Sequence, residues 1–469
     1  MTRLLSLGVA LACAGPLLAQ TPAPEKTIPW GQYSSEILTR YRDLVELDTT
    51  AGHEIRAVDY LRKVLEGEGI PTKTLALEPN RPNLVARLKG NGSKRPLLIL
   101  AHTDVVGVQR EKWPVDPFAA VMRDGYIWGR GSKDDKPVLT ANLITMLMLK
   151  RRAVALDRDV IFLAESGEEA DTTGVGINFM VGQHFDEIEA EFAMTEGGGA
   201  TIVGQRVSIV NIGTAEKLPA RARLVATGTS GHGSVPRLDN ALIHLSTAVE
   251  KVGQWETPMH FNDTTRAYFE KLTTIASPEK AAHYKELFNP SSAGAAQEYL
   301  RKYDPSRYSM LRTSVVPTML KAGVGANVIP SEAEATLDIR AFPGEDIEKF
   351  YAEMAKVIAD PEVKIVPIPP SRPPSPASRL DTEMYRVMDR VAKEIYPGAV
   401  VLPSMSTGAS DQAQLRAKGI QSYGVGPAST EEDAINYPAH GDVERLAESS
   451  LYPFVQYVWD VVTGVAARR

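Results

Sequence analysis

The spacing of apolar residues predicts two amphipathic helices near the start of the chain. In the first segment, Ile37, Tyr41 and Leu44 recur three or four positions apart, and Val58 and Leu61 belong to a second run of the same kind. This period places the apolar side chains on one face of a helix. Each helix is therefore expected to pack one face against a core.

Farther along, shorter apolar runs predict strands. Residues 83–88 and 96–101 are β-like, and Asn91-Gly92 between them is typical of a tight turn, so this pattern predicts a hairpin or adjacent strands. Residues 137–150 predict a largely apolar helix, and residues 160–164 predict a short buried strand. This alternation predicts an α/β sheet, in which ligand sites lie at the carboxyl ends of the strands.

A second module is predicted to begin near Gly213 and to be inserted into the first. It would contain a polar helical insertion at about residues 255–311, and a proline-rich stretch at residues 367–376 would lead back to the first module. The predicted organisation is a main domain at residues 30–212 and 375–469, with a mixed sheet flanked by helices, and an inserted α+β lid domain at residues 213–370. The predicted elements of the second half are strands at 222–226, 315–320, 334–340 and 422–425 and helices at 240–252, 347–359 and 383–395.

Composition narrows the class of molecule that the chain binds. The 469 residues include 52 Lys and Arg against 58 Asp and Glu, which gives a net charge of −6, and there is no long basic run. A nucleic-acid-binding surface is therefore not expected. Peptides or small molecules fit this composition better.

The first 20 residues have the pattern of a signal peptide. Arg3 precedes an apolar stretch that ends in small residues, and Pro22 and Pro24 predict an exposed linker after it. The stretch is short for a membrane span, and no later apolar run is long enough to be one. Export to the periplasm or the medium is expected. The single cysteine, Cys13, lies in this stretch and only loosely matches a bacterial lipid-attachment box, so neither a disulfide nor a lipid anchor is expected.

The residues that suggest chemistry come where apolar runs end. His102 and Asp104 follow residues 96–101, and a metal-bound imidazole commonly has a carboxylate partner. Alone this pair is a weak signal, since a single histidine at a strand end is more often structural. Four further motifs follow: Gly129-Arg-Gly-Ser-Lys-Asp134-Asp135-Lys136, Glu165-Ser-Gly-Glu168-Glu169, Thr195-Glu196-Gly-Gly and His440-Gly441. Taken singly, these could be a helix cap or an exposed acidic loop.

Together, and in this order, the five motifs resemble the dizinc exopeptidase family of glutamate carboxypeptidases, aminoacylases, succinyl-diaminopimelate desuccinylases and dipeptidases. The resemblance runs from about Ser35 to the C-terminus. It implies an α/β fold with a zinc-exopeptidase-like catalytic domain and a lid of the dimerisation type. A homodimer that forms through the lid is expected on the same ground.

The resemblance implies two Zn²⁺ per subunit. Asp134 would bridge both ions, His102 and Glu196 would complete one, and Glu169 and His440 would complete the other. Three carboxylates would balance most of the charge of the two ions, so such a site can be buried. Nitrogen and oxygen ligands suit zinc and also admit Co²⁺ or Mn²⁺.

Catalytic roles follow from the same resemblance. Glu168 would be the general base, taking a proton from water and delivering it to the leaving amine. Asp104 would orient His102, and His232 in Gly231-His-Gly-Ser would stabilise the oxyanion from the lid. The resemblance also implies a cis peptide bond between Asp134 and Asp135.

Substrate-binding roles are implied for three more residues. Asn327 and Arg340 would hold the carbonyl and the carboxylate of the substrate, because an arginine fork pairs well with a carboxylate; a structural salt bridge is the alternative for Arg340. Gly408 lies in Thr407-Gly-Ala-Ser-Asp411, a loosened version of the family loop that contacts the substrate carboxylate. The substrate is therefore less defined by sequence than the metal site.

Three functions are consistent with these residues. The leading prediction is a carboxypeptidase or an N-acyl-amino-acid amidohydrolase that acts on a peptide or N-acyl amino acid, because glutamate at position 196 accompanies such members of the family. An aminopeptidase or dipeptidase, which would require a free substrate amine, is the alternative. A non-catalytic scaffold is a third, and it is disfavoured because every expected ligand and the base Glu168 are present.

Overall fold

The structure is a computed structural model that describes residues 28–169 and 174–468. Residues 1–20, including Cys13, on which the signal-peptide prediction rests, lie outside the described residues. Among the helices that are described, none is long and apolar enough to cross a membrane.

Strands and helices alternate along most of the chain. In chain order the strands are β1 (Thr72–Leu75), β2 (Asn83–Leu88), β3 (Leu97–His102), β4 (Val121–Arg123), β5 (Tyr126–Trp128), β6 (Val160–Glu165), β7 (Phe192–Thr195), β8 (Gly199–Val203), β9 (Arg206–Glu216), β10 (Leu218–Pro219), β11 (Ala222–Thr227), β12 (Gly231–His232), β13 (Ser314–Ala322), β14 (Val328–Ile329), β15 (Glu332–Ala341), β16 (Val363–Pro367), β17 (Val400–Ser406), β18 (Gln421–Gly424), β19 (Ala428–Thr430) and β20 (Arg445–Ala447). The helices are α1 (Ser34–Glu46), α2 (Ile55–Gly67), α3 (Lys136–Arg151), α4 (Ile177–Gln183), α5 (Phe185–Ile188), α6 (Ala241–Gln254), α7 (Asp263–Leu272), α8 (Pro278–Glu286), α9 (Ala293–Tyr303), α10 (Pro305–Met310), α11 (Ile347–Ile358), α12 (Glu383–Ile395), α13 (Gln412–Ala417), α14 (Glu431–Asn436) and α15 (Glu448–Ala466).

A ten-stranded mixed sheet forms the centre of the larger part of the molecule. Its strand order is β1-β2-β6-β3-β7-β18-β9-β8-β19, with β17 beside β9. Strands β6, β3, β7 and β18 run parallel to one another, whereas β2 is antiparallel to β6. Every residue of β3 and β6 is buried, as expected for parallel strands that are covered on both faces.

Helices cover both faces of this sheet. Alternate residues of β3 point to opposite sides: Leu97 and Ile99 belong to the core formed with α1, α3, α12 and α15, and Leu98 belongs to the core formed with α4 and α13. Helix α3 is buried along nearly its whole length because it lies in the larger of these cores. The predicted fold class, a mixed α/β sheet flanked by helices, is confirmed at this level.

A five-stranded antiparallel sheet is built from residues 218–367. Its order is β10-β15-β11-β16, and β13 pairs with the other side of β15, so β13 forms an edge. Burial alternates along β11 and β15, because one face packs on α6 and α11 and the other does not. The polar segment predicted to be helical contains α7 to α10, whose apolar residues pack on β9 and β17 of the large sheet.

Two details differ from the pattern expected from sequence. Strands β2 and β3 are not neighbours, because β6 lies between them, antiparallel to β2 and parallel to β3. The prediction of a hairpin or adjacent strands is therefore wrong, although Gly92 does adopt the positive φ typical of a turn. Strand β9 passes through Gly213 and ends at Glu216, so the large sheet continues beyond the residue expected to begin the second module.

Candidate metal centre

Adjacent parallel strands bring the predicted chemical residues to one edge of the large sheet. Strand β3 ends at His102, β6 leads into the loop that carries Glu168 and Glu169, and β7 is followed by Glu196. These strands are neighbours in the order β6-β3-β7. Their carboxyl ends therefore meet, which is where ligand sites form in α/β sheets.

Two sets of ligand atoms share one residue at this edge. His102, Asp134 and Glu196 form one set, and Asp134, Glu169 and His440 form the other, with the ligand atoms of each set lying within 4.8 Å of one another. His102 Nε2 is 3.0 Å from Asp134 Oδ1, and His440 Nε2 is 3.3 Å from Asp134 Oδ2. Asp134 thus offers one oxygen to each set, as a residue that bridges two ions must.

The electrostatics of the site favour bound cations. Burial, reinforced by the negative charges of Asp134 and Glu168, raises the pKa of Glu196 well above its ordinary value. Burial together with the nearby Asp411 raises the pKa of Glu168 to about 8. So many carboxylates in one buried place need compensating charge. Nitrogen and oxygen donors at this spacing fit two divalent cations.

The two histidines respond to the same carboxylates. Burial opposes the charged form of His102, but its contacts with Asp104 and Asp134 outweigh burial and raise its pKa well above the ordinary value. Hydrogen bonds that His440 donates to the carboxylates of Asp134 and Glu169 raise its pKa to about 10. His440 also has a positive φ of 63°, a conformation that histidine adopts more readily than most residues.

Asp104 holds this edge together in a way that differs from the sequence expectation. His102 Nδ1 donates to the main-chain oxygen of Asp104 at 3.0 Å, whereas the carboxylate oxygen Oδ1 is 3.6 Å away. The carboxylate instead accepts the main-chain N–H groups of Gly167, Glu168 and Glu169 at 2.8 to 3.1 Å. Asp104 therefore orients the imidazole through its carbonyl, and its carboxylate fixes the loop that carries Glu168 and Glu169.

Glu444 fixes the loop that carries Asp134, a role that the sequence did not reveal. Its buried carboxylate accepts the N–H groups of Gly131, Lys133 and Asp134 at 2.5 to 3.2 Å, and Arg130 Nη1 at 2.8 Å. The Asp134–Asp135 peptide bond in this loop is cis, as expected. Glu444 lies only four residues after His440, and its proximity to that motif is the only sequence signal that could have pointed to it.

Arg372 is a second site residue that the sequence did not indicate. Its Nη2 donates to Glu168 Oε1 at 2.5 Å, and its Nη1 donates to Asp411 Oδ1 at 2.8 Å. All three side chains are largely buried. Arg372 comes from the proline-rich stretch, which sequence analysis treated only as a connection.

Comparison with known proteins agrees with this geometry. The sequence model of peptidase family M20/M25/M40 matches residues 98–463, which is most of the chain. This chain belongs to that family. The predicted relationship to dizinc exopeptidases and the prediction of an amide-hydrolysing enzyme are thereby confirmed.

Individual M20 relatives support the same placement. The chain is 26% identical over 379 residues to the N-fatty-acyl-amino acid synthase/hydrolase of Xenopus tropicalis, covering 77% of this chain and 71% of that protein. It is 29% identical over 341 residues to a probable carboxypeptidase S-like protein of Dictyostelium discoideum, covering 70% of this chain and 64% of that protein. The fold matches an M20 family metallo-carboxypeptidase of Sulfolobus solfataricus with a TM-score of 0.66 at 20% identity, over 91% of this chain and 98% of the other.

The structure does not bring the predicted lid residues of this M20 member to the ligand sets. His232 and Asn327 are exposed on the ribbon formed by β12 and β14, where Gly233 N donates to Asn327 O at 2.7 Å. Within the described part of the chain, no hydrogen bond or ion pair joins either residue to the ligand sets. Arg340 Nε donates to Asp338 at 2.9 Å, and the N–H of Gly408 donates to Ser406 Oγ at 3.0 Å.

Replacing Glu444 should weaken metal binding. In the Glu444→Gln variant, the shape of the side chain is kept, but the charge that gathers the N–H groups around Asp134 is lost. We expect zinc affinity to fall about 10- to 100-fold, the usual effect of removing a group that orients a ligand. Competition titration with a chelating dye measures this change, and Glu432→Gln at an exposed position is the control. Equal affinities in the two variants would contradict the role of Glu444.

Proposed function

We propose that the protein is a zinc-dependent carboxypeptidase or N-acyl-amino-acid amidohydrolase that cleaves an amide bond next to a free carboxylate. The observation that carries this proposal is that Asp134 is shared by two ligand sets while the buried Glu168, which belongs to neither, lies beside them. The presence of Glu196, rather than aspartate, supports the carboxypeptidase or acylase type. The names of the Xenopus and Dictyostelium relatives denote activities of the same two types.

Two divalent cations would be held by His102, Asp134 and Glu196 and by Asp134, Glu169 and His440. When bound, they would polarise the amide carbonyl and lower the pKa of the attacking water. Zinc is proposed because the donors are imidazole nitrogens and carboxylate oxygens, and Co²⁺ or Mn²⁺ would be accepted by the same set.

Glu168 is the proposed general base. It takes a proton from the attacking water and delivers it to the nitrogen of the leaving amine. Its main-chain N–H is held by Asp104, and its carboxylate is held by Arg372. These contacts restrict the rotamer of Glu168, so the proton is accepted and released at one defined place.

The substrate-binding part of the proposal depends on the second sheet. Arg340 and the loop at Gly408 would bind the substrate carboxylate, and Asn327 would bind its carbonyl. His232 would stabilise the oxyanion. Because His232 and Asn327 are exposed and bonded only to neighbouring residues, we propose that residues 213–370 act as a lid and that these two residues reach a cleft by lid closure or from a second subunit.

A homodimer through the lid is part of this proposal. The edge strand β13 exposes Val316, Met319 and Leu320, and α6 exposes Leu242 and Ile243. Exposed apolar side chains on a sheet edge and a neighbouring helix are typical of a surface that another subunit covers. The second copy would pair along β13.

A free carboxylate on the substrate should be required. The full-length protein is expressed and purified, and its N-terminus is sequenced, since we propose export with removal of residues 1–20. After chelation and reloading with zinc, N-acyl amino acids and peptides are compared with their C-terminal amides. We expect turnover of the free acids to exceed that of the amides by about 100-fold, the order expected when a charged partner is left unpaired. A requirement for a free amine instead would favour an aminopeptidase or dipeptidase.

Replacing the base should abolish turnover but leave the metals bound. For Glu168→Gln we expect kcat to fall roughly 100-fold or more, the usual scale for a general base. Metal content measured by atomic absorption should stay at the wild-type value, whereas Glu169→Gln, which alters a ligand, should lose metal as well as activity. Activity of Glu168→Gln within a factor of two of wild type would refute the assignment.

The dimer is tested by mass. Light scattering of the purified protein should give twice the mass of one chain, and Leu320→Glu, which places a charge on the β13 edge, should shift the mass toward that of a monomer at low micromolar concentration. Leu77→Glu is the control. Leu77 is another exposed leucine, but it lies two residues after β1 and outside the second sheet. A monomeric wild-type protein would exclude this interface.

A further inference from the structure

Lys217 is a buried cation that forms no ion pair in the part of the chain that the structure describes. It follows β9, is 1% exposed, and its ammonium nitrogen donates to the hydroxyl oxygens of Ser309 and Ser314 at 2.9 and 3.1 Å. Among residues 28–169 and 174–468, no carboxylate forms an ion pair with it. An ammonium group carries three donors, and the two hydroxyl groups account for two of them.

Other positively charged groups near Lys217 add to the unbalanced positive charge. Burial, then the positive charges of Arg340 and Arg312, lower the pKa of Lys217 to about 7, and only Asp338 opposes this. Asp338 is itself engaged by Arg340 and Arg221 at 2.9 and 3.1 Å. A buried charge that lacks a counterion is costly, so a bound anion beside Lys217 would lower that cost.

A cavity of about 280 Å³ gives access to this part of the molecule. Lys217 lines it together with apolar walls from Leu218, Pro219 and Phe342. The two acidic residues in its lining are engaged elsewhere: Glu216 accepts the N–H and the hydroxyl of Ser410, and Glu345 accepts the hydroxyl of Thr313. Among the described residues, neither carboxylate forms an ion pair with Lys217.

The same cavity adjoins the proposed catalytic base. Arg372 lines it and also donates to Glu168 at 2.5 Å. A group bound in the cavity would therefore be separated from the proposed base, Glu168, by the side chain of Arg372. The volume is just below the roughly 300–1,000 Å³ usual for small-molecule sites, which fits one amino-acid unit better than a long ligand.

We infer that Lys217 is a further specificity-determining residue, which acts with Arg340 and the Gly408 loop to bind the free carboxylate of the amino-acid half of the substrate at this cavity. The inference rests on the proposed function and adds to it a residue and a location: the carboxylate-bearing half occupies the cavity, and the amide carbonyl then lies toward Glu168. The apolar walls select an uncharged, apolar side chain on that half, such as that of leucine.

Binding of a carboxylate by Lys217 should depend on pH, because only the protonated side chain is charged. A carboxylate binds the charged ammonium, so binding is full below the pKa of the free enzyme and weakens as the pH rises above it. With that pKa at about 7, affinity for an anionic ligand should fall by up to about tenfold per pH unit above neutrality. Arg312, Arg340 and Arg372 keep their charge over this range, and Asp338, Glu216 and Glu345 are engaged by donors.

The test compares Lys217→Met, which keeps the length of the side chain, with Lys217→Arg, which keeps the charge. Lys271→Met is the control, since Lys271 is partly buried and donates to a main-chain oxygen, that of Val401, outside the cavity. Two quantities are measured: kcat/KM for N-acetyl-L-leucine against N-acetyl-L-leucinamide, and binding of L-leucine to the metal-stripped protein by calorimetry. Thermal unfolding of each variant shows that it is folded.

We expect Lys217→Met to lose preference for the acid over the amide by about 10- to 100-fold and to bind L-leucine weaker by the same factor, as for the loss of one charged hydrogen-bond partner. Lys217→Arg should retain the preference but lose the decline in binding above pH 7. Folded Lys217→Met with wild-type discrimination and binding, or a wild-type protein that does not bind L-leucine, would overturn the inference. If no amide is hydrolysed yet L-leucine binding depends on Lys217, the proposed function fails while the anion site stands.

Discussion

The concentration of negative charge at one edge of the large sheet is the constraint on which the rest of the site depends. Asp134, Glu168, Glu169 and Glu196 converge there with two imidazoles, and burial raises the pKa of Glu168 and Glu196. Such a cluster is stable only if cations neutralise it or if some carboxylates take up protons. The parallel strands β6, β3 and β7 create the cluster because their carboxyl ends meet at one edge.

Hydrogen bonds from main-chain N–H groups hold two loops of this cluster in place. Asp104 gathers three of them from the loop of Glu168, and Glu444 gathers three from the loop of Asp134. Accepting several N–H groups favours the charged form of a carboxylate and fixes the loop at several points. The loops that carry Asp134 and Glu169 are thus held by two acidic residues that belong to neither ligand set.

Much of the fold could be predicted from the apolar runs of the sequence, and the ligand sets could be expected because the five motifs, in their order, resemble the dizinc exopeptidase family. The helix at residues 383–395 and the strand at 160–165 match their predicted positions because apolar periodicity and caps such as Thr382 mark them locally. The position of β6 between β2 and β3 could not be predicted, because strand order depends on long-range pairing and not on the turn at Asn91-Gly92. Arg372 was missed for a similar reason: no local pattern around it points to chemistry, and only the fold places it against Glu168.

In the proposed function, opposite charges would lie on either side of the scissile bond. The large sheet contributes the anionic edge that suits cations. Lys217 follows β9 and forms no ion pair with a described carboxylate, and Arg340 lies on β15 of the second sheet, where it pairs with Asp338. Arg372 lies between the two regions, in contact with Glu168 on one side and with the cavity on the other. An amide substrate with a free carboxylate has the complementary arrangement, since its carbonyl suits the cationic centre that the metals would form and its carboxylate suits Lys217. An amidated substrate satisfies only the first half of this arrangement and would leave the buried ammonium group without a counterion.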